Sequence, residues 1–228
     1  MKQGLWLKVA AIPSEKAAGA GWDGSEHAQQ AMSSDVPRPR FRGSFQWAAD
    51  GYTYRADVHD QIKDRPISSG PLPPPGLTLP DAWWTALRTA LDAIKAAATN
   101  RTAIKQERLH WALPRFLGVP VNTEVPEWST IHADIQWSNL VGSDLCILDW
   151  ERWGRGPAGY DEAALFISSL TAPAVAERVR HEFKHVLDTP AGHFSQLVVA
   201  SEYLQGMERG NNLDLEAPLR THVAKLLS

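Results

Sequence analysis

The chain has 228 residues, with 23 Lys and Arg against 26 Asp and Glu and a formal net charge of −3. That balance gives no electrostatic footing for nucleic acid, one cysteine cannot form an internal disulfide, and no apolar run reaches the length of a membrane span. No apolar stretch of signal-peptide form precedes Pro13, so the expected location is cytoplasmic, and the length suits one domain or two small lobes.

In chain order, residues 5–11 read as a strand in which Lys8 is flanked by apolar residues. Gly19-Ala20-Gly21-Trp22-Asp23-Gly24 reads as a flexible connector. Residues 25–32 open a helix with Glu26 in its first turn, where the helix dipole favours a carboxylate. Residues 40–48 and 51–58 are β-rich and flank Ala49-Asp50-Gly51, a hairpin signal. Ser68 to Gly76 holds four prolines and reads as a stiff connector. Pro80-Asp81 starts a helix with Trp84, Leu87, Leu91 and Ile94 at helical spacing, and Trp83-Trp84 read as core. Three more helices follow, over residues 161–170, 174–187 and 194–208.

The chemistry concentrates between residues 131 and 163. His132-Ala133-Asp134 is followed by Asn139, the spacing H-x-D-x-x-x-x-N of a phosphotransferase catalytic loop. A hydroxyl attacking a phosphoryl group needs a carboxylate to accept its proton. Magnesium takes hard oxygen ligands, few of them from carboxylates. Leu140-Val141 and Leu145-Cys146-Ile147-Leu148 are apolar runs separated by Gly142-Ser143-Asp144. A hairpin there would fold Asp149 back towards Asn139. Cys146, within that second run, reads as a small buried hydrophobe.

These residues resemble the aminoglycoside phosphotransferase and choline kinase-like group. Its pattern of H-G-D and N, then I-D-W-E, then G-P-Y-D-L-A is similar to His132-Ala133-Asp134 with Asn139, Leu148-Asp149-Trp150-Glu151, and Gly156-Pro157-Ala158-Gly159-Tyr160-Asp161-Glu162-Ala163. The Trp after Asp149 favours the small-molecule branch over protein kinases. The resemblance implies an α+β, protein kinase-like two-lobe fold. It also implies ATP- and Mg2+-dependent phosphorylation of a hydroxyl on a small-molecule acceptor, in aminoglycoside-type enzymes an antibiotic. Asp134 would be the catalytic base, Asn139 and Asp149 the metal ligands, and His132 and Asp161 structural supports. Lys8 would hold the ATP phosphates with Glu26 paired behind it. Residues 56–59 would form the hinge that meets adenine. Glu151 is the expected acceptor-binding carboxylate, and Glu162 an exposed helix start.

The group places two strands and a glycine-rich loop ahead of the lysine strand, whereas seven residues precede Lys8. The expected organisation is therefore a truncated β-rich amino-terminal lobe over residues 1–58, a hinge and Pro-rich connector over 59–80, and a helical lobe over 81–228. A non-catalytic kinase-like remnant lacking the Gly-rich loop is the alternative. A further alternative is a zinc metallopeptidase built on His181-Glu182-Phe183-Lys184-His185, an H-E-x-x-H match with Glu202 and Glu208 downstream as third-ligand candidates. Lys184 inside that motif argues against it.

Overall fold

The computed structural model describes residues 4–16 and 22–228; part of the glycine-rich connector therefore lies outside the described residues. Three antiparallel strands form the amino-terminal sheet: β1 (Leu5–Pro13), β2 (Phe41–Ala49) and β3 (Tyr52–Asp60), in the order β1-β3-β2. β2 and β3 are joined through Asp50 and Gly51, with φ of 53° and 78°. Positive φ at both positions is what a two-residue turn matched to strand twist requires, and Asp-Gly supplies it at little cost. The register sets Lys8 opposite Asp57 and Trp6 opposite His59. Period-2 alternation therefore places Trp6, Lys8, Arg55, Asp57 and His59 on one face. Helix α1 (Gly24–Ala31) packs beside β2.

Residues 56–59 lie inside β3, the central strand, and their backbone is paired with β1 on one side and β2 on the other. A backbone committed to two ladders cannot also serve as a hinge to adenine, so that expectation is corrected. The chain leaves the sheet after Asp60, and Gln61 and Ile62 line the cleft instead.

The remainder is helical: α2 (Asp81–Ala96), α3 (Gln106–Leu117), α4 (Tyr160–Ser168), α5 (Pro173–Leu187), α6 (Pro190–Met207) and α7 (Glu216–Leu227). The expected apolar stripe of α2 is buried, with Leu87 and Ile94 fully enclosed. Helices α3 and α7, and a small ladder of β4 (Trp128–Ile131) with β5 (Gly154–Pro157), are additional to the sequence reading. Every residue of α4 is buried, so Glu162 is not the exposed helix start its charge suggested. Burial pushes its carboxyl above the ordinary range.

Two features of this body position the motif residues. Ile131 pairs with Gly154 across β4 and β5, so residues 132–153 form one excursion whose two ends are clamped together. Within it, Leu140 bridges Ile147, the Val141 N–H donates to the Cys146 carbonyl at 3.1 Å, and the Leu148 N–H donates to the Asn139 carbonyl at 2.8 Å. The expected hairpin is present, and Asp149 follows it directly. The loop is also anchored from below by Trp137, fully buried and packed against Trp83 and Trp84 at centroid distances of 6.4 and 6.3 Å. Indole N–H groups reach partners there, from Trp83 to the Val141 carbonyl at 2.8 Å and from Trp137 to the Ser169 hydroxyl at 3.0 Å.

Candidate active site

Asp134 and Asn139 are in direct contact. The Asn139 side-chain amide donates to the Asp134 carboxylate and to the Asp134 backbone carbonyl, both at 2.9 Å. Its nitrogen is thereby occupied, which leaves the Asn139 carbonyl oxygen for the cleft that Asn139 and Asp149 both line. Asp161, buried at the start of α4, accepts from the His132 N–H at 2.7 Å and the Ala133 N–H at 2.9 Å. Those two bonds hold the turn that presents Asp134, in which Ala133 sits at φ 67°. An alanine in this left-handed region carries a strain of roughly 1 kcal/mol, at the position where the resembled pattern has glycine. Asp149 is also left-handed, at φ 64°. Strained backbone that surrounding contacts hold in place is a feature of functional turns.

The His132 ring is fully buried and stands edge-on to Trp150 at 4.6 Å. Burial pushes its imidazole down to about 4, so it is a neutral packing element. Burial pushes the Asp161 carboxyl up to about 7, aided by the neighbouring charge of Glu162. At Asp134, burial and the charge of Asp149 raise the carboxyl above its ordinary range, against Arg152 and the Asn139 hydrogen bond. A raised carboxylate is a stronger proton acceptor.

Lys8 reaches across the cleft. Its ammonium donates to Asp149 at 2.8 Å and also pairs with Glu151. Burial works to lower the Lys8 pKa, but the hydrogen bonds and charges of the two carboxylates outweigh it. Burial likewise works to raise Asp149, and Lys8 holds it below its ordinary range, so Asp149 stays ionised. Glu151 is raised, by burial and by repulsion from Asp149.

The expected pairing of Lys8 with Glu26 is not formed. Glu26 accepts from the Arg55 guanidinium at 2.9 Å, and Arg55 also donates to Asp57 at 2.7 Å. Arg55 lies on the central strand, and its fork reaches two carboxylates at once, whereas Lys8 on the edge strand faces Asp149. Glu151 is corrected as well. Its carboxylate is taken by Lys8 on the cleft side, whereas Asp134 lines a separate cavity.

The cleft between sheet and helical body has a volume of ≈ 360 Å³ and is walled by Trp6, Lys8, His59, Asn139, Asp149 and Trp150, among others. On the far side of Asp134 lies the second cavity, of ≈ 190 Å³, lined by Asp134, Arg152, Tyr160, Glu202 and Tyr203 among others. Asp134 and Asn139 thus span the wall between two spaces.

Sequence reasoning passed over several residues that shape this region. Arg55 was legible from strand alternation alone. Arg101 donates to Asp23 at 2.7 Å and to the backbone carbonyls of Glu151 and Trp153 at 3.3 Å each, which ties the start of α1 to the segment after Asp149. Gly24 explains how close that approach is. A Cβ there would overlap the Glu151 carbonyl oxygen, and the Gly24 carbonyl accepts from the Trp153 indole at 2.8 Å. Nothing local to Arg101 or Gly24 signals either contact.

The donor set at Asn139 and Asp149 fits magnesium: one ionised carboxylate and one amide oxygen, both hard, at a cleft large enough for phosphates and water. The H-E-x-x-H segment does not fit zinc. The Glu182 carboxylate is held by Arg88 and, at 2.7 Å, by Arg178. The helix also breaks from ideal geometry at Phe183, between the two exposed histidines, with φ −113° and ψ 18°. Glu202 accepts from Tyr160 and Glu208 faces Arg115. Among the described residues no group of three or more His, Cys, Asp or Glu is placed to hold a metal. The metallopeptidase reading is therefore withdrawn: two guanidiniums neutralise the carboxylate that would have to act as base.

No family model and no curated protein matches the sequence. Solved structures do match. A thermostable mutant of aminoglycoside phosphotransferase APH(4)-Ia in its apo form superposes with a TM-score of 0.66 at 14% identity, over 98% of this chain and 86% of that one. Choline kinase LicA from Streptococcus pneumoniae matches with a TM-score of 0.53 at 12% identity, over 99% and 86%. The chain has the kinase-like fold of these phosphotransferases. An amicoumacin kinase, hAmiN, solved in complex with AMP-PNP, Ca2+ and Ami, shares this kinase-like fold with a TM-score of 0.53 at 11% identity, over 98% of this chain and 81% of that one.

Proposed function

We propose that this protein is an ATP- and magnesium-dependent phosphotransferase acting on a hydroxyl of a small molecule. The observation that carries the reading is the Asn139 amide clamped to Asp134, which couples a base facing one cavity to an oxygen facing the other. Asp134 receives the acceptor's hydroxyl proton. Asn139 and Asp149 hold the metal, which when bound neutralises phosphate charge. Lys8 exchanges its carboxylate partners for nucleotide phosphates. Asp161 and His132 keep the loop in place, and Glu26 acts indirectly by holding Arg55 on the sheet. The chain's share of catalysis is positioning and charge stabilisation, since a loose phosphoryl transition state asks little covalent work of it. A requirement for ATP agrees with a cytoplasmic setting. An amine-bearing acceptor, the aminoglycoside type among others, needs a carboxylate beyond the base, and Glu202 lines the cavity beside Asp134 where Glu151 does not.

The non-catalytic reading draws on one observation: the Lys8 ammonium already has two carboxylate partners. Thermal denaturation with Mg-ATP separates the two. A ligand that binds only the native state stabilises it by mass action, so Mg-ATP raises the melting temperature and Asp149→Asn abolishes the magnesium-dependent part. Asp134→Asn retains that shift while ADP formation with an acceptor falls about 10²- to 10⁴-fold. Nucleotide binding with no transfer to any acceptor would establish the non-catalytic form.

A further inference from the structure

The cavity beside Asp134 carries a charge pattern that phosphoryl transfer alone does not require. Glu202 is fixed by the Tyr160 hydroxyl, which donates to it at 2.5 Å. Burial keeps that hydroxyl protonated well above its ordinary range, so it serves as a permanent donor. Arg152 lines the same cavity, is exposed, and takes part in no hydrogen bond or ion pair among the described residues. Its charge nevertheless reaches Asp134, where burial and Asp149 raise the carboxyl and Arg152 opposes them. The cavity that the base lines therefore also offers an anchored carboxylate and an unengaged guanidinium.

That pair selects among acceptors. A polycation would bring ammonium groups up against Arg152, and like charges brought together suppress a wrong partner. A neutral polyol would leave both charges without a counterpart. A guanidinium fork is shaped to take a carboxylate with two parallel hydrogen bonds. The volume of ≈ 190 Å³ is below the roughly 300–1,000 Å³ of pockets for drug-sized ligands. We infer that the acceptor is a compact alcohol bearing both an amine and a carboxylate, of the hydroxy-amino acid class, with its amine on Glu202, its carboxylate on Arg152 and its hydroxyl on Asp134. The inference rests on the phosphotransferase reading and narrows its substrate. The hydroxyl oxygen forms the new bond to the γ-phosphorus, the bond from that phosphorus to the β–γ bridging oxygen breaks, ADP leaves, and the hydroxyl proton passes to Asp134.

The test is a panel of L-serine, L-threonine and L-homoserine, ethanolamine as the cation alone, glycolate as the anion alone, and an aminoglycoside as polycation. Each is assayed for ADP formation and titrated by calorimetry. The zwitterionic alcohols are expected to show the highest kcat/KM. Arg152→Gln lowers that value relative to ethanolamine by about ten-fold or more, the worth of one charge-assisted pair. Glu202→Gln lowers it similarly relative to glycolate. A preference for ethanolamine or the aminoglycoside that Arg152→Gln does not move overturns the inference and leaves the phosphotransferase reading standing. If no acceptor yields ADP, that reading falls. Calorimetry then separates the two failures: zwitterion binding lost in Arg152→Gln keeps the cavity's selectivity for an amine with a carboxylate but not its role as an acceptor site, and no zwitterion binding overturns the inference.

Discussion

The three-stranded sheet and the helical body share one cleft but are held together differently. In the body, Leu87, Ile94, Leu113, Ile135, Trp137 and Leu165 are fully buried. In the sheet, Leu5 is 63% exposed, Leu7 56%, Val9 53% and Phe45 67%, and beside its backbone ladders and a few ring contacts its side chains form ion pairs: Arg42 with Asp60 at 2.6 Å, and Arg55 with Glu26 and Asp57. Apolar burial supplies most folding free energy, whereas ion pairs with an exposed partner, Arg42 with Asp60 and Arg55 with Glu26, supply little; the buried Arg55–Asp57 pair is an exception within the sheet. The sheet therefore draws its order from the body it rests on. Two of its links are Lys8 to Asp149 and Arg101 between Asp23 and the 151–153 backbone. The difference teaches that the less apolar half carries the residue expected to meet phosphate, while the residues proposed to do the chemistry stand on the half with the packed core.

Core truncation tests this contrast with the largest effect. Leu113→Ala should cost about 2–5 kcal/mol by chemical denaturation, and Leu7→Ala no more than about 0.5 kcal/mol. Comparable losses would mean that the sheet has a core of its own. A somewhat smaller effect is expected at Arg55, whose side chain is 9% exposed beside Asp57 at 10%. Removing one partner of a buried pair leaves the other charge uncompensated, at roughly 3 kcal/mol. Arg55→Ala should therefore speed amide exchange across β1 to β3 while α2 and α4 stay protected. Uniform acceleration through both halves would show that the molecule unfolds as one unit.

The pH dependence sharpens the picture of the half with the packed core. His132 titrates at about 4 when folded against 6.5 when free. Between those values the unfolded chain binds more protons, and stability falls as the pH falls, by 6.5 − 4 = 2.5 pKa units or about 3 kcal/mol. Asp161 titrates at about 7 when folded against 3.8 when free. Between those values the folded chain binds more protons, so stability rises as the pH falls. The two slopes oppose each other in the native protein. Asp161→Asn should expose acid destabilisation between pH 6.5 and 4, and His132→Gln should leave stability rising from pH 7 towards 4. Denaturant midpoints across that range check both signs. The same slope in both variants would place the titrating groups elsewhere.

The smallest effect is expected at the strained turn. Ala133→Gly relieves its left-handed conformation but increases the freedom of the unfolded chain, so the two contributions partly cancel. A net change within about 1 kcal/mol follows, with nucleotide binding retained. A loss of several kcal/mol would show that the Ala133 methyl is needed for packing.

Much of the fold and the centre of the site were legible because their causes are local. Alternation with Asp50-Gly51 specifies the β2–β3 hairpin through backbone sterics. The apolar stripe of residues 84–94 specifies α2. Asp134 and Asn139 lie within one loop, and the hairpin over residues 140–148 returns Asp149 to them whatever the rest of the chain does. The partners of long charged side chains were not legible in this way. Lys8 and Arg55 occupy the same face of one sheet, and which of them takes Glu26 depends on where α1 lies and how far each side chain reaches. Glu162 reads as an exposed helix start until the packing of α4 encloses it. Glu151 stands beside the proposed metal ligand Asp149 in sequence, but a lysine from the far side of the cleft claims it. Glu202, far along the chain, arrives at the cavity beside Asp134 because α6 packs against α4. The sequence alone determined which backbone turns bring the reacting groups together, since turn geometry and hydrophobic period act over a few residues. Only the tertiary structure decided which charge meets which, because Coulomb attraction carries no sequence spacing and is settled by distance and burial after the elements have packed.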